Sequence, residues 1–127
     1  VPNGLASHLD GCQLVWVESN HDPGMLAIGP YPEFLKRRIA SPVGHLSNAQ
    51  AAELMRKLSA DTREVVLMHL SQKCNTPMVA LREAKRALAG RKVKLRVADQ
   101  DEPLDLQVQV RASTRHRVSD EQLALAF

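Results

Sequence analysis

Two short apolar runs constrain the fold of this 127-residue chain more than any other feature. Gln13–Val17 and Val65–Met68 are both of strand length and are dominated by Val, Leu and other large apolar residues. Such runs, bounded by polar and turn-forming residues, predict buried strands. Helical patterns lie between and beyond them, so the sequence predicts an α/β fold.

The helical segments are marked by their first residues. Asp22-Pro23 and Thr76-Pro77 each combine an N-cap residue with a proline in the first turn. Ser47 and Gln50 have the spacing of a capping box, which predicts a helix from about Asn48 to Ser59. Later in the chain, Val93–Val97 and Leu104–Val110 alternate strictly, which predicts two half-exposed strands in a hairpin.

Length and composition exclude several protein classes. The chain is long enough for one core and too short for two domains, and its 44% hydrophobic and 24% charged residues are typical of a soluble globular protein. It has no apolar run long enough to span a membrane, so we expect a cytoplasmic protein. Cys12 and Cys74 lie far apart in the sequence, which favours neither a disulfide framework nor a thiolate metal site.

Two histidines stand at junctions between predicted elements. His45 precedes the predicted helix start at Ser47, and His69 follows the Val65–Met68 strand directly. Ligands of α/β proteins bind beyond the carboxyl ends of strands, where Glu18–Asp22 also provides oxygen and nitrogen ligands. Spacing alone leaves two alternatives open for each His: a metal or substrate role, or a side chain satisfied within its own loop.

Several strings of residues resemble one family closely. They are Glu18–Asp22, Gly29–Pro32, Gly44–Asn48, His69–Ser71 and Asn75–Pro77. In this order and spacing they resemble the YycJ/WalJ-type branch of the metallo-β-lactamase-fold hydrolases, over about residues 1 to 90. The resemblance implies an αβ/βα sandwich holding two divalent metal ions, zinc or manganese, and a phosphodiesterase or nuclease that cleaves nucleic acid through metal-activated hydroxide.

The same resemblance suggests roles for individual residues. His69 matches the final metal-ligating His of the family. His45 matches a catalytic His that holds the scissile phosphate or assists the leaving group. Asn20, His21 and Asn48 are expected beside the substrate path.

The chain also departs from the family pattern. The principal metal motif of the family, His-x-His-x-Asp-His, does not occur in the sequence. We therefore expect residues 1–110 to form the C-terminal half of the sandwich, a mixed sheet with helices on one face, followed by a basic tail, 111–127, that is disordered or forms a short helix. We expect this half alone to bind no metal tightly, to lack activity, and to need the N-terminal half or a complementary protomer as its partner.

Two other functions are compatible with the sequence. The chain could be a non-catalytic remnant or protein-interaction module whose open sheet face binds another protomer. Its net charge of +3 and its basic segments, Lys36–Arg38 and the tail, are also compatible with a small nucleic-acid-binding domain. A run such as Lys36–Arg38 is more often a solvated helix face than a track for phosphate groups.

Overall fold

A four-stranded parallel sheet organises the residues that the computed structural model describes, 4–98 and 123–126. Its strands are β1 (Leu14–Glu18), β2 (Glu64–Met68), β3 (Lys94–Val97) and β4 (Leu123–Ala126). They lie in the order β3-β2-β1-β4. Parallel neighbours cannot be joined by a tight turn, so β1 and β2 are connected through helices, as are β2 and β3.

Five helices complete the described part of the chain. They are α1 (Leu5–His8), α2 (Pro23–Ile28), α3 (Glu33–Ala40), α4 (Asn48–Arg56) and α5 (Pro77–Ala87). The side chains of Asp22, Ser47 and Thr76 accept hydrogen bonds from backbone N–H groups of the first turns of α2, α4 and α5. No helix in the described ranges has the length and apolar content that crossing a bilayer requires.

The core lies between one face of the sheet and the helices α4 and α5. Side chains alternate along a strand, so residues two apart share a face. One face contributes four buried residues to the core: Val15, Val17, Val65 and Leu67. Helices α4 and α5 cover it with Ala51, Leu54, Met55, Ala80 and Ala84. The opposite face includes Val66, which is fully buried, and Trp16, which is half-buried.

The predicted α/β class and the two buried strands are confirmed. The described strands pair only in parallel, and the antiparallel partner expected for β3, Leu104–Val110, lies outside the described residues. Leu123–Ala126 forms a strand beside β1, where the sequence favoured a short helix or a disordered tail. Its Leu-Ala-Leu-Ala pattern has the period of a strand, and pairing with β1 provides hydrogen-bond partners along one side of its backbone. The domain division at residue 110 stays a prediction.

Strand register brings two chain segments together at the carboxyl edge of the sheet. Glu18 pairs with Met68, so both strands end at the same level. The backbone N–H of Ser19 donates to the carbonyl oxygen of Met68 at 3.0 Å and extends this alignment by one residue. The residues that follow each strand, from Ser19 and from His69 onward, therefore emerge side by side.

The capping box of α4 holds the segment that follows His45, and its contribution to stability can be measured. Ser47→Ala removes the acceptor that Gln50 N–H reaches at 3.1 Å, and we expect a loss of about 1 kcal/mol in the free energy of unfolding. Urea denaturation measures this loss. Ser47→Thr keeps the hydroxyl and is the control; an equal loss in both variants would show that the cap is not its cause.

Candidate active site

A buried carboxylate connects the two predicted histidines. Nδ1 of His45 lies 2.6 Å from Oε1 of Glu18, and Nδ1 of His69 lies 3.1 Å from the same oxygen. The backbone N–H of Leu46 donates to the other oxygen, Oε2, at 3.1 Å. The side chain of Glu18 is 2% exposed, whereas those of His45 and His69 are 42% and 54% exposed. The carboxylate therefore lies beneath two partly exposed imidazole rings.

The loop that carries His45 depends on a glycine. A Cβ atom at Gly44 would lie 2.2 Å from the carbonyl oxygen of Arg38 and 2.4 Å from that of Ile39, far inside normal contact. The absence of a side chain lets the loop return against the end of α3. There the backbone N–H of His45 donates to the carbonyl oxygen of Ile39 at 2.9 Å. Gly44 thus sets the point from which His45 reaches Glu18.

His69 has an unusual backbone conformation. Its φ of 61° lies in the left-handed region, and it is the one non-glycine residue with positive φ in the described ranges. Asn, Asp and His adopt this region more readily than other non-glycine residues. The amide group of Asn20 donates from Nδ2 to the carbonyl oxygen of His69 at 2.8 Å. This turn, which follows β2 immediately, places the imidazole beside Glu18.

Three buried polar side chains hold together the loops around the site. Ser19 Oγ donates to Oδ1 of Asn48 at 2.6 Å, and Nδ2 of Asn48 donates to Oδ1 of Asn75 at 2.9 Å. Nδ2 of Asn75 donates to the carbonyl oxygens of Ser19 and Asn20 at 2.8 Å and 3.1 Å. All three side chains are nearly inaccessible to solvent. The network joins the segment that follows β1, the first residue of α4 and the segment that precedes α5.

The imidazole rings face a cleft of about 320 Å³. Its lining consists of Asn20, His21, Leu26, Tyr31, Ile39, His45 and residues 69–74. The rings of His45 and His69 approach edge to face, with centroids 5.7 Å apart. The cleft thus opens at the carboxyl ends of β1 and β2, where ligands of α/β proteins bind.

His21 is the most buried imidazole near this cleft. It is 2% exposed, and its Nδ1 lies 3.2 Å from Oδ1 of Asn20. Burial, with a smaller contribution from neighbouring His45, lowers the pKa of His21, although the carboxylates of Glu18 and Asp22 act in the opposite direction. His21 is therefore biased toward the neutral form.

The donor set fits a divalent metal ion. Glu18, His45 and His69 each offer one ligand atom, and these atoms lie within 4.8 Å of one another. Carboxylate oxygen and imidazole nitrogen are ordinary ligands of zinc and manganese. Three ligands of this type, two of them on partly exposed rings, are compatible with one metal ion.

The structure brings together four of the five predicted site residues. Asn20, His21, His45 and His69 line the cleft. Asn48 lies outside the lining, 1% exposed, with its amide bonded to Ser19 and Asn75; its predicted contact with substrate stays a prediction. The sequence indicated Glu18 only as one member of the possible ligand cluster Glu18–Asp22. Its position was the signal that distinguishes it: Glu18 is the last residue of β1, as His69 is the first after β2.

The chain is similar in sequence to proteins named exodeoxyribonucleases. It is 37% identical over 89 residues to exodeoxyribonuclease YycJ of Bacillus anthracis, an alignment that covers 69% of this chain and 34% of that protein. It is 41% identical over 78 residues to exodeoxyribonuclease WalJ of Streptococcus pneumoniae strain D39, covering 61% of this chain and 28% of WalJ. The alignments thus span about a third of these curated relatives. No family model and no solved structure matches the chain. The predicted resemblance to the YycJ/WalJ type is confirmed.

Gly44→Ala should displace the His45 loop. The added methyl group meets two backbone oxygens, so the loop must shift, and we expect a loss of about 1–3 kcal/mol in the free energy of unfolding. Urea denaturation measures the loss, and the NMR signals of the His45 ring report its displacement. Val43→Ala, at a neighbouring side chain that is 92% exposed, is the matched control. Unchanged His45 signals in Gly44→Ala would contradict the role given to Gly44.

Burial of His21 predicts a pH dependence of stability. Because its pKa in the folded protein is lowered, the unfolded chain binds the proton first as the pH falls through about 6.5. The free energy of unfolding should therefore decrease between pH 7 and pH 5, and His21→Gln should remove part of this decrease. Denaturation at several pH values measures the slope. An identical slope in the wild-type protein and His21→Gln would contradict the prediction.

Proposed function

Starting from the similarity to YycJ and WalJ, we propose that this chain is the C-terminal portion of a metal-dependent hydrolase of the metallo-β-lactamase fold that cleaves phosphodiesters in DNA. The observation that supports it most strongly is the cluster of Glu18, His45 and His69 at the carboxyl end of the sheet. The names of the relatives supply the reaction class. The cluster supplies groups suited to metal binding and proton transfer.

In this proposal Glu18 orients both imidazole rings. An ionised carboxylate only accepts hydrogen bonds, so its contacts with the two Nδ1 atoms require N–H groups there. The neutral form of each ring then has its lone pair on Nε2. A carboxylate that fixes the tautomer of a His in this way is the usual support of a metal-binding imidazole. Glu18 thus leaves one nitrogen of each ring available for chemistry in the cleft.

The two rings receive different roles. His69 is the metal ligand, held by the turn after β2 and by Glu18. A bound divalent cation supplies charge neutralisation on phosphoryl oxygens and lowers the pKa of water. His45 holds the scissile phosphate or donates a proton to the leaving oxygen through Nε2, and Glu18 fixes the ring through Nδ1. Asn20 and His21 contact the substrate from the cleft wall, and Asn48 positions their loop through Ser19 and Asn75.

Activity in this proposal needs further protein. Two metal ions of the family type require more ligands than His69, the one ligand that this proposal assigns among the described residues. The relatives are about three times as long as their aligned segments, and the unmatched sequence is where additional ligands and the second half of the sandwich are expected. We therefore propose an N-terminal half or a complementary protomer as the partner and nucleic acid as the substrate.

The alternative function, a small nucleic-acid-binding domain, receives less support from the structure. Within the basic run Lys36–Arg38, the side chain of Lys36 is only 13% exposed. Its ammonium group donates to the carbonyl oxygen of Ala27 at 2.8 Å and lies 3.6 Å from a carboxylate oxygen of Glu33. One of the three cations is thus already committed to fastening α3 onto α2.

The proposed activity is testable in a chimera. The chain is joined to the part of Bacillus anthracis YycJ that it does not match, and cleavage of a labelled single-stranded oligodeoxynucleotide is followed with Mn²⁺ or Zn²⁺. We expect metal-dependent cleavage that EDTA abolishes. His45→Ala should lower kcat by about 10²- to 10⁴-fold, because it removes the proton-transfer group. Glu18→Gln should weaken metal binding or activity by about 10- to 100-fold, because it disturbs ring orientation.

His8→Ala is the control, since His8 is exposed on α1 and outside the cleft lining. The chimera should retain full activity in this variant. A folded chimera that binds metal but leaves DNA intact would contradict the nuclease proposal. Equal activity in His45→Ala and His8→Ala would remove His45 from the chemistry.

A further inference from the structure

The charge of the cleft lining points to an anionic occupant beyond the histidine cluster. None of the lining residues is Asp or Glu, and the Glu18 carboxylate lies buried behind the two rings. One lining residue, Lys73, has a cationic side chain. Low-dielectric walls with charge of one sign concentrate oppositely charged ligands.

The backbone of Lys73 is fixed relative to the site. The turn of residues 71–74 begins where Ser71 N–H donates to the carbonyl oxygen of Asn20 at 2.7 Å. It ends where the carbonyl oxygen of Cys74 accepts from the N–H of Asp22 at 2.9 Å. Within the turn, the N–H of Cys74 donates to Oγ of Ser71 at 3.1 Å. Lys73 therefore lies on a turn fastened at both ends to the loop after β1.

The side chain of Lys73 is also directed by a neighbour. Its ammonium nitrogen lies 5.6 Å from the centroid of the Tyr31 ring, within the range of a cation–π interaction. Tyr31 is half-buried in the segment between α2 and α3 and belongs to the same cleft lining. The ring thus holds an exposed cation at the cleft wall. A carboxylate partner would neutralise this charge, whereas the ring does not.

We propose that Lys73, held by Tyr31, forms a subsite for a phosphate of the DNA strand next to the scissile phosphodiester. The inference rests on the proposed function for the identity of the strand. An ammonium group binds phosphate as a point charge and does not read the base. The subsite therefore recognises the backbone of the strand and is indifferent to its sequence.

Binding to the 127-residue chain tests the subsite without cleavage. The probe is a fluorescein-labelled oligothymidylate of six nucleotides, measured by fluorescence anisotropy in EDTA over a series of salt concentrations. Lys73→Gln should weaken binding by about three- to tenfold, because one charge-assisted contact is lost. The slope of log K against log salt should decrease by about 0.7, the value for one phosphate contact on a single strand.

Two matched pairs of variants control for general effects. Lys85→Gln removes an exposed lysine of α5, outside the cleft lining, and should change affinity less than twofold. Tyr31→Phe keeps the ring and should bind like the wild-type protein, whereas Tyr31→Leu should bind as weakly as Lys73→Gln. Equal effects of Lys73→Gln and Lys85→Gln, or no binding by the wild-type chain at low salt, would overturn the subsite.

The outcomes separate this subsite from the proposed function. Cleavage by the chimera together with binding that ignores Lys73 would reject the subsite alone. Binding that depends on Lys73 and Tyr31, in a chimera that binds metal and leaves DNA intact, would reject the nuclease proposal and leave a strand-binding cleft.

Discussion

The burial of the Glu18 carboxylate is the constraint on which the site depends. A charged group removed from water is costly unless hydrogen-bond donors replace the solvent. Here three donors from two separate segments replace it: the rings of His45 and His69 and the backbone N–H of Leu46. The burial of the carboxylate therefore stays favourable only while all three donors remain in place. The carboxylate joins loops that lie 27 and 51 residues away from it in the sequence.

The three donors stay near Glu18 only if the loops that carry them are fixed. Both backbone conformation and side-chain hydrogen bonds fix these loops. Gly44 permits a close approach that any Cβ would prevent, and His69 occupies a left-handed conformation. Beneath them, Asn75 donates hydrogen bonds to two carbonyl groups of the loop after β1, and Asn48 donates to the side-chain oxygen of Asn75. Fully satisfied polar networks of this kind rigidify their surroundings because any break leaves a buried group unpaired. Rigidity around a cleft is what positioning a substrate demands.

The arrangement also separates charge in a way that suits phosphate chemistry. The carboxylate lies at the bottom, shielded by the two imidazole rings. The cleft above it is lined by polar and apolar side chains, among them the ammonium group of Lys73, and by no other carboxylate. In the proposed function, Glu18 does not contact the substrate and acts through the two rings that it orients, those of the proposed metal ligand His69 and the proposed proton-transfer group His45.

The sequence by itself determined the elements that local patterns encode. The buried strands β1 and β2, the capping box at Ser47 and the N-caps at Asp22 and Thr76 followed from apolar runs and cap spacing, because these signals act within a few residues. The motif strings identified the resemblance to YycJ and WalJ and two of the three clustered residues, His45 and His69. Only the tertiary structure revealed Glu18 as their common partner, and placed Asn48 in a buried network and Leu123–Ala126 in a strand. Each of these results depends on strand register or on contacts between segments that are distant in the sequence. Local sequence patterns do not determine either of them.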